Sequence, residues 1–278
     1  MLAARRLTLC LSALAAAAAA AAGCTADEDC LAASLRCLPD PSGMPCVLDY
    51  AYNATGTCAC QQQWCINSTY SPAQPGLRQL LVIGDSISLG YTKFAATALG
   101  GGWQVTHAGS SSYNNDNAYW GARCIGAWLG PNATRWDTVT YNAGLHDLAF
   151  PDNEHLAVGS YARFVGAVFA ALAGAARPDA RLLWVTTTPV PTDPKPACVL
   201  IPGRREADVL AYNEAAGAAV AAAAGRVGVC DAHKVITDYC GIGFSDACNI
   251  TQCRGPHFVG AGFAMLGAKV AACVGGGA

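Results

Sequence analysis

Residues 80–90 read LLVIGDSISLG, and this stretch indicates both the fold class and where to look for a function. The apolar run at 80–83 predicts a buried strand, and a glycine, an acid and a serine follow it directly. A helix that starts at this point would expose the Ser86 hydroxyl and direct its first backbone N–H groups toward any nearby negative charge. Ser86 is therefore either a helix cap or a nucleophile.

The chain beyond residue 79 alternates between strand and helix patterns. This alternation predicts an α/β domain with a parallel sheet covered by helices. The predicted strands are 80–83, 103–106, 138–142, 182–187 and 227–231, and the predicted helices follow Ser86 and cover 155–176, 205–224 and 259–274. In open sheets of this kind functional groups gather at the carboxyl ends of the strands, where the segments GDS, HAGSSS, NAGLHD and CRGPHF are expected to lie.

Composition excludes several classes of function. The 278 residues are 53% hydrophobic and 13% charged, with a formal charge of −2, and no basic patch is visible. We therefore expect no nucleic-acid partner. The cysteines suit disulfides better than zinc, and paired histidines with metal-ligand spacing are absent, so we expect neither a metal nor a cofactor. The oligomeric state stays open.

The N-terminus predicts export. Residues 1–23 combine two arginines, a Leu- and Ala-rich run and small residues at its end, which is typical of a signal peptide. A retained membrane anchor and a bacterial lipoprotein site are the alternatives. Sequons begin at Asn53, Asn67, Asn132 and Asn249 and favour a secreted glycoprotein without stable membrane insertion after cleavage.

Cysteines divide the mature chain. Of 15 cysteines, one lies in the signal, seven lie between Cys24 and Cys65, and seven lie between Cys124 and Cys273. Residues 24–65 are too few to fold on apolar burial alone, so disulfides are expected to hold this module, which loosely resembles an EGF-like domain. Residues 66–78 are the expected linker and 79–278 the main domain. The odd counts require either one bridge between the groups or a free thiol in each.

The GDS stretch resembles the first block of the SGNH, or GDSL, hydrolase superfamily. This resemblance covers about residues 79–275 and implies a three-layer α/β/α, flavodoxin-like fold with Ser86 as the nucleophile. It also implies an oxyanion hole formed by the backbone N–H groups of Ser86 and Gly109, the latter in the segment HAGSSS.

The third block departs from the superfamily pattern. Gly-x-Asn-Asp aligns with Gly144-Leu145-His146-Asp147, so His146 stands where an asparagine donates to the oxyanion. A protonated imidazole nitrogen can donate in the same way, and a substrate contact or a packing role are the alternatives. Asn142 is a candidate for orienting this loop or sharing the donor role. The two neighbouring acids, Asp85 and Asp147, are further candidate supporting residues.

The last block of the superfamily reads Asp-x-x-His and supplies the general base. Here RGPHF provides His257, but Arg254 occupies the position of the acid and cannot accept an imidazole N–H. The resemblance therefore implies another acceptor. Asp246 is the candidate acceptor, and Asp231, Asp238 and a backbone carbonyl are the alternatives.

These residues together predict a serine ester hydrolase that uses Ser86 and His257. The expected substrates are acetyl or other short acyl esters of carbohydrates. A lipid acyl-ester hydrolase is the rival enzyme, and an inactive glycan-binding protein is the rival from another class. Three tryptophans could stack on sugars, although core packing is the simpler expectation: Trp120, Trp128 and Trp136.

Overall fold

The chain forms two compact units, Met1–Cys65 and Ile66–Ala278. A computed structural model describes residues 47–52, 58–63, 70–108, 117–149, 156–191, 203–223, 225–242, 248–252 and 256–276. In the first unit, strands β1 (Val47–Tyr52) and β2 (Cys58–Gln63) pair antiparallel in a two-stranded sheet. The predicted signal segment, 1–23, lies outside the described residues.

The second unit is built on a five-stranded parallel sheet in the order β4-β3-β5-β6-β7. Its strands are β3 (Arg78–Ile83), β4 (Trp103–His107), β5 (Thr138–Tyr141), β6 (Arg181–Val185) and β7 (Val227–Cys230). Each predicted strand corresponds to one of these, and the predicted α/β class with a parallel sheet is confirmed. The predicted strands 138–142 and 227–231 each extend one residue too far, because Asn142 and Asp231 lie just beyond β5 and β7.

Six helices accompany the sheet in the described part of this unit. They are α1 (Ser86–Leu99), α2 (Ala118–Leu129), α3 (Val158–Ala175), α4 (Glu206–Ala222), α5 (Ala232–Cys240) and α6 (Gly260–Gly275). The sequence pattern had not predicted α2 or α5. Both begin at a side-chain cap that the sequence carries, because Asn117 accepts from Trp120 N and Asp231 accepts from Lys234 N.

The helices pack in two groups. Helices α2, α3 and α4 contact one another in turn, while α6 contacts both α1 and α5. Helix α3 is long and apolar enough to cross a membrane by length and composition, yet its side chains Tyr161, Val165 and Phe169 are buried in the domain core. This is the pattern of a core helix.

Small residues let α1 and α6 approach closely, which brings the two ends of the domain sequence together. A Cβ on Gly90 would overlap the Phe263 ring, and one on Gly267 would lie 2.6 Å from Phe94 Cβ. A disulfide between Cys230 and Cys273 also ties the end of β7 to α6. The segment that precedes α6 is thereby held near the start of α1.

Candidate active site

The turn between β3 and α1 presents Ser86 without using it as a cap. Asp85 is the N-cap residue, and its Oδ1 accepts from Ile87 N at 2.9 Å. Ser86 is the first helical residue and remains partly buried. Gly84 is required at this turn, because a Cβ there would lie 2.8 Å from the Asn142 carbonyl oxygen on the neighbouring loop. The cap interpretation of Ser86 is therefore wrong.

His257 reaches this serine across 171 residues of sequence. Its Nε2 lies 2.8 Å from Ser86 Oγ. An isolated bridge between Thr251 and Phe258 folds the chain back beside the histidine, and Gln252 N donates to the His257 carbonyl at 2.9 Å. Phe258 is buried, which anchors the segment in the core. The histidine is thus held by its backbone on both sides.

The surroundings of His257 keep its imidazole neutral. Burial lowers its pKa from 6.5, and the positive charges of Arg204 and His146 lower it further. A lowered pKa means that the ring stays unprotonated to a more acidic pH than usual. At neutral pH Nε2 is therefore able to accept the Ser86 hydroxyl proton.

The partner of the second imidazole nitrogen was left open by the sequence. Asp246 and Arg254 lie outside the described residues. Asp231 is engaged elsewhere, since its Oδ1 accepts from Lys234 N and from the Thr186 hydroxyl. Asp238 is paired with Lys234. Neither of these two described aspartates contacts the ring of His257.

The loop after β5 carries His146 into the same region. Gly144 has φ +144°, and a Cβ there would overlap Thr187 Oγ1, so this position accepts glycine alone. Leu148 N donates to the Gly144 carbonyl at 2.9 Å, which closes the loop into a turn. His146 is partly exposed, and its charge acts on both Asp85 and His257. It is therefore close enough to the Ser86–His257 pair for its charge to act there.

The remaining sequence candidates have distinct positions. Asn142 directs its Nδ2 group to the carbonyls of Val185 and Thr186, at 3.0 and 3.3 Å, and so ties the loop to the next strand. This amide is already engaged, which argues against a donor role toward substrate. Gly109 lies outside the described residues.

Asp147 is fully buried beneath the loop. Its Oδ1 accepts from Ala118 N at 2.9 Å at the start of α2. Burial raises its pKa to about 8, with smaller opposing contributions from backbone N–H groups and from His146. The carboxyl is therefore mainly protonated at neutral pH and supports the loop by a hydrogen bond rather than by charge.

Arg204 is a residue of this region that the sequence reading missed. It precedes α4, is partly exposed, and donates through Nε to the Leu145 carbonyl at 2.5 Å. Its charge acts on Asp85 as well as His257. No local pattern around Arg204 signals this position, because the contact depends on a loop 59 residues away.

Two of the three tryptophans considered for sugar stacking are core residues. Trp128 and Trp136 are 1% and 0% exposed. The Trp136 ring donates through Nε1 to the Leu129 carbonyl. Trp120 is partly exposed on α2.

No protein-family model and no curated protein sequence matches this chain. The fold is similar to that of solved structures at low sequence identity. A Streptococcus pneumonia protein provisionally named a platelet activating factor has 16% identity and a TM-score of 0.57, over 71% of this chain and 84% of its own.

Two carbohydrate esterases have a similar fold. A carbohydrate acetylesterase family member from Sinorhizobium meliloti has 14% identity and a TM-score of 0.52, over 72% of this chain and 100% of its own. A carbohydrate esterase family 3 protein from Talaromyces cellulolyticus has 16% identity and a TM-score of 0.51, over 71% of this chain and 96% of its own. At these identities the likeness establishes the α/β fold, which this chain shares with solved esterases.

Proposed function

We propose that this chain is a secreted serine ester hydrolase that removes acetyl or other short acyl groups from carbohydrate esters. The observation that carries the proposal is the 2.8 Å contact between Ser86 Oγ and His257 Nε2, at the carboxyl end of β3. A serine hydroxyl is a weak nucleophile until a base takes its proton, and this geometry supplies that base.

The proposed reaction has two halves. His257 Nε2 takes the proton of Ser86 while Oγ attacks the ester carbonyl carbon, and the resulting imidazolium donates that proton to the departing sugar oxygen. The carbon–oxygen bond to the sugar breaks, and the acyl group remains on Ser86. Water then attacks the acyl carbon, gives a proton to His257, and the ester bond to Oγ breaks with return of that proton.

The oxyanion of each tetrahedral intermediate needs hydrogen-bond donors. Ser86 N–H lies in the first turn of α1, where backbone N–H groups have no helical acceptor. The backbone N–H of Gly109 and the ring of His146 are the other proposed donors. The proposed acceptor of the second His257 proton is Asp246. Because the pKa of His257 is lowered, mainly by burial, its ring is unprotonated at neutral pH and its Nε2 is free to accept a proton in this scheme.

The substrate class is supported by fold likeness and by sequence features that are typical of exported proteins. Two solved proteins of similar fold bear carbohydrate esterase names. Acetyl esters of glycans also fit a chain with a signal-like N-terminus and four sequons. A lipid acyl ester is the rival substrate, and the rate against p-nitrophenyl esters of increasing chain length separates the two. A steep fall beyond short chains is expected.

The central test is Ser86→Ala, assayed with p-nitrophenyl acetate and with a fluorophosphonate probe. We expect labelling and turnover in the wild type and loss of both in the variant. Thr97→Ala is the matched control, because it removes an exposed hydroxyl from the same helix. Equal labelling of wild type and Ser86→Ala would refute the proposed nucleophile, and no labelling of either would favour a glycan-binding protein.

A second test concerns His146. Loss of one oxyanion donor raises the barrier by about 3 kcal/mol, so His146→Ala should reduce kcat by about 10²-fold. KM should change little, because the donor acts mainly in the transition state. A kcat within twofold of the wild type would remove His146 from the oxyanion hole and leave Ser86 in its role.

A further inference from the structure

A buried carboxylate at the start of α4 has no part in the reaction proposed above. Glu206 is the first residue of this helix and is 7% exposed. Its Oε2 accepts from Val190 N at 2.8 Å, and its Oε1 lies 2.6 Å from Nε2 of His233, the second residue of α5. One side chain therefore joins α4 to α5 and to the segment 186–191, which follows β6.

These contacts fix the start of α4, which the N-cap residue cannot do. That residue is Arg205, whose side chain has donors alone and therefore cannot accept from the first N–H groups of the helix. An ionised carboxylate has acceptors alone, so Val190 N and His233 Nε2 both donate to Glu206. Hydrogen bonds to a charged acceptor are stronger than those between neutral groups, and a negative charge in the first helical turn is favourable.

A second side chain of α4 contacts the same segment. Asn213 lies about two turns after Glu206 and therefore on the same face of the helix. Thr187 N donates to Asn213 Oδ1, and Asn213 Nδ2 donates to the Thr187 carbonyl, both at 2.9 Å. The segment 186–191 is thus fixed against α4 at Thr187 and at Val190.

The loop that carries His146 is supported from this segment and from the residues just before α4. Thr187 Oγ1 donates to the Ala143 carbonyl at 2.8 Å. Arg204, which stands two residues before the first residue of α4, donates through Nε to the Leu145 carbonyl at 2.5 Å. A displacement of the start of α4 would therefore move the contacts on both sides of this loop.

We propose that Glu206, held by His233, is a positioning residue for the loop that carries His146. It acts through Arg204 and through the segment 186–191. Its effect on catalysis rests on the proposed function, whereas its contact with the segment does not. The two consequences are tested by separate measurements.

The pH profile of kcat/KM separates positioning from a general loss of stability. The positive charge of Arg204 lowers the pKa of His257. In Glu206→Ala this charge should move away, so the acidic limb should shift to higher pH, as in Arg204→Gln. Loss of the negative charge of Glu206 by itself would shift the limb to lower pH. The double variant should show no further shift than Arg204→Gln alone.

The turnover number should change with the limb. In Glu206→Ala, kcat should fall about tenfold with little change in KM, because a displaced loop places the reacting groups less well. A limb that stays at the wild-type pH in Glu206→Ala would overturn the proposal. So would shifts that add in the double variant, because they would show that Glu206 does not act through Arg204.

Two variants control for charge and for the helix. In Glu206→Gln the amide oxygen can accept from Val190 N while its NH₂ group donates to His233 Nε2, so kcat should stay within about twofold of the wild type. Glu214→Ala removes an exposed carboxylate from the same helix and should leave the limb unmoved. An equal shift in Glu214→Ala and Glu206→Ala would refute positioning. If Glu206→Ala does not fold, His233→Ala takes its place, and an unmoved limb there overturns the proposal.

Hydrogen exchange of the full chain tests the contact with the segment 186–191 without any assay of turnover. Pro189 and Pro191 flank Val190 and carry no N–H, which isolates the signal of its amide. This amide should exchange about tenfold faster in Glu206→Ala than in the wild type, because it loses a bond to a charged group. Equal exchange rates would refute the contact. An inactive wild type would instead refute the proposed function, while the exchange rates still test the contact.

Discussion

Replacing Asp147 with asparagine should stabilise the protein at neutral pH, which is unusual for the loss of an acidic side chain. The carboxyl is 0% exposed, and burial raises its pKa from 3.8 to about 8. The folded protein therefore holds this proton far more tightly than the unfolded chain does. Stability is greatest below the unfolded pKa and falls as the pH rises from about 4 to about 8.

The size of the effect follows from the same two pKa values. At pH 7 the unfolded carboxyl is about three pH units above its pKa while the folded carboxyl still holds its proton, which at about 1.4 kcal/mol per unit costs ~4 kcal/mol. Asparagine resembles the protonated acid and does not titrate. Its Oδ1 can keep the bond from Ala118 N. The stability gain of Asp147→Asn should therefore grow by up to this amount between pH 4 and pH 7.

Urea unfolding of wild type and Asp147→Asn at pH 4, 5.5 and 7 measures this difference. Asp179→Asn is the control, because its side chain is 76% exposed and lies in a surface ion pair. The free energy of unfolding of Asp179→Asn should change with pH in parallel with that of the wild type. A constant difference between Asp147→Asn and wild type at all three pH values would show that this carboxyl is ionised in the folded protein, and would refute the reasoning.

Two further changes test the placement of His257. In the pH profile of kcat/KM the acidic limb should lie below pH 6.5, because the pKa of His257 is lowered. Arg204→Gln should move this limb toward higher pH, whereas the neighbouring control Arg205→Gln should not. An acidic limb above pH 6.5 in the wild type would contradict the lowered pKa. Gly267→Ala should destabilise the protein by about 1–3 kcal/mol in urea, because it separates α1 from α6. Gly260→Ala is the control and should not destabilise the protein, because a Cβ there meets nothing within 4 Å. An equal loss of stability in both variants would argue against the close approach of α1 and α6.

The local pattern predicted most of the sheet. Strand β3 is recognisable because four consecutive apolar residues, 80–83, are all buried, and the polar residues after it start the next helix. Helices α2 and α5 were missed for a local reason: α5 has nine residues and follows β7 after one residue, and α2 contains Gly121 and Gly126. Helix propensity is a weak guide at such positions.

The sequence also predicted only part of the candidate site. Ser86 and His257 were identified from motif resemblance, and the geometry brings them within 2.8 Å. The sequence left open whether Ser86 caps the helix or acts as a nucleophile, because the cap depends on which side chain turns back to Ile87 N, and in the structure that side chain is Asp85. The roles of Gly109 and Asp246 stay predictions.

The amino-acid sequence by itself determined the strand–turn–helix at GDS and the alternation that makes the sheet parallel, because burial, capping and turn preferences act over a few residues. Only the tertiary structure decided which distant groups meet: His257 with Ser86, Arg204 with Leu145, and His107 with Ser88. These contacts depend on strand order and on how closely α6 approaches α1. No local interaction sets either, because both result from packing the whole domain core.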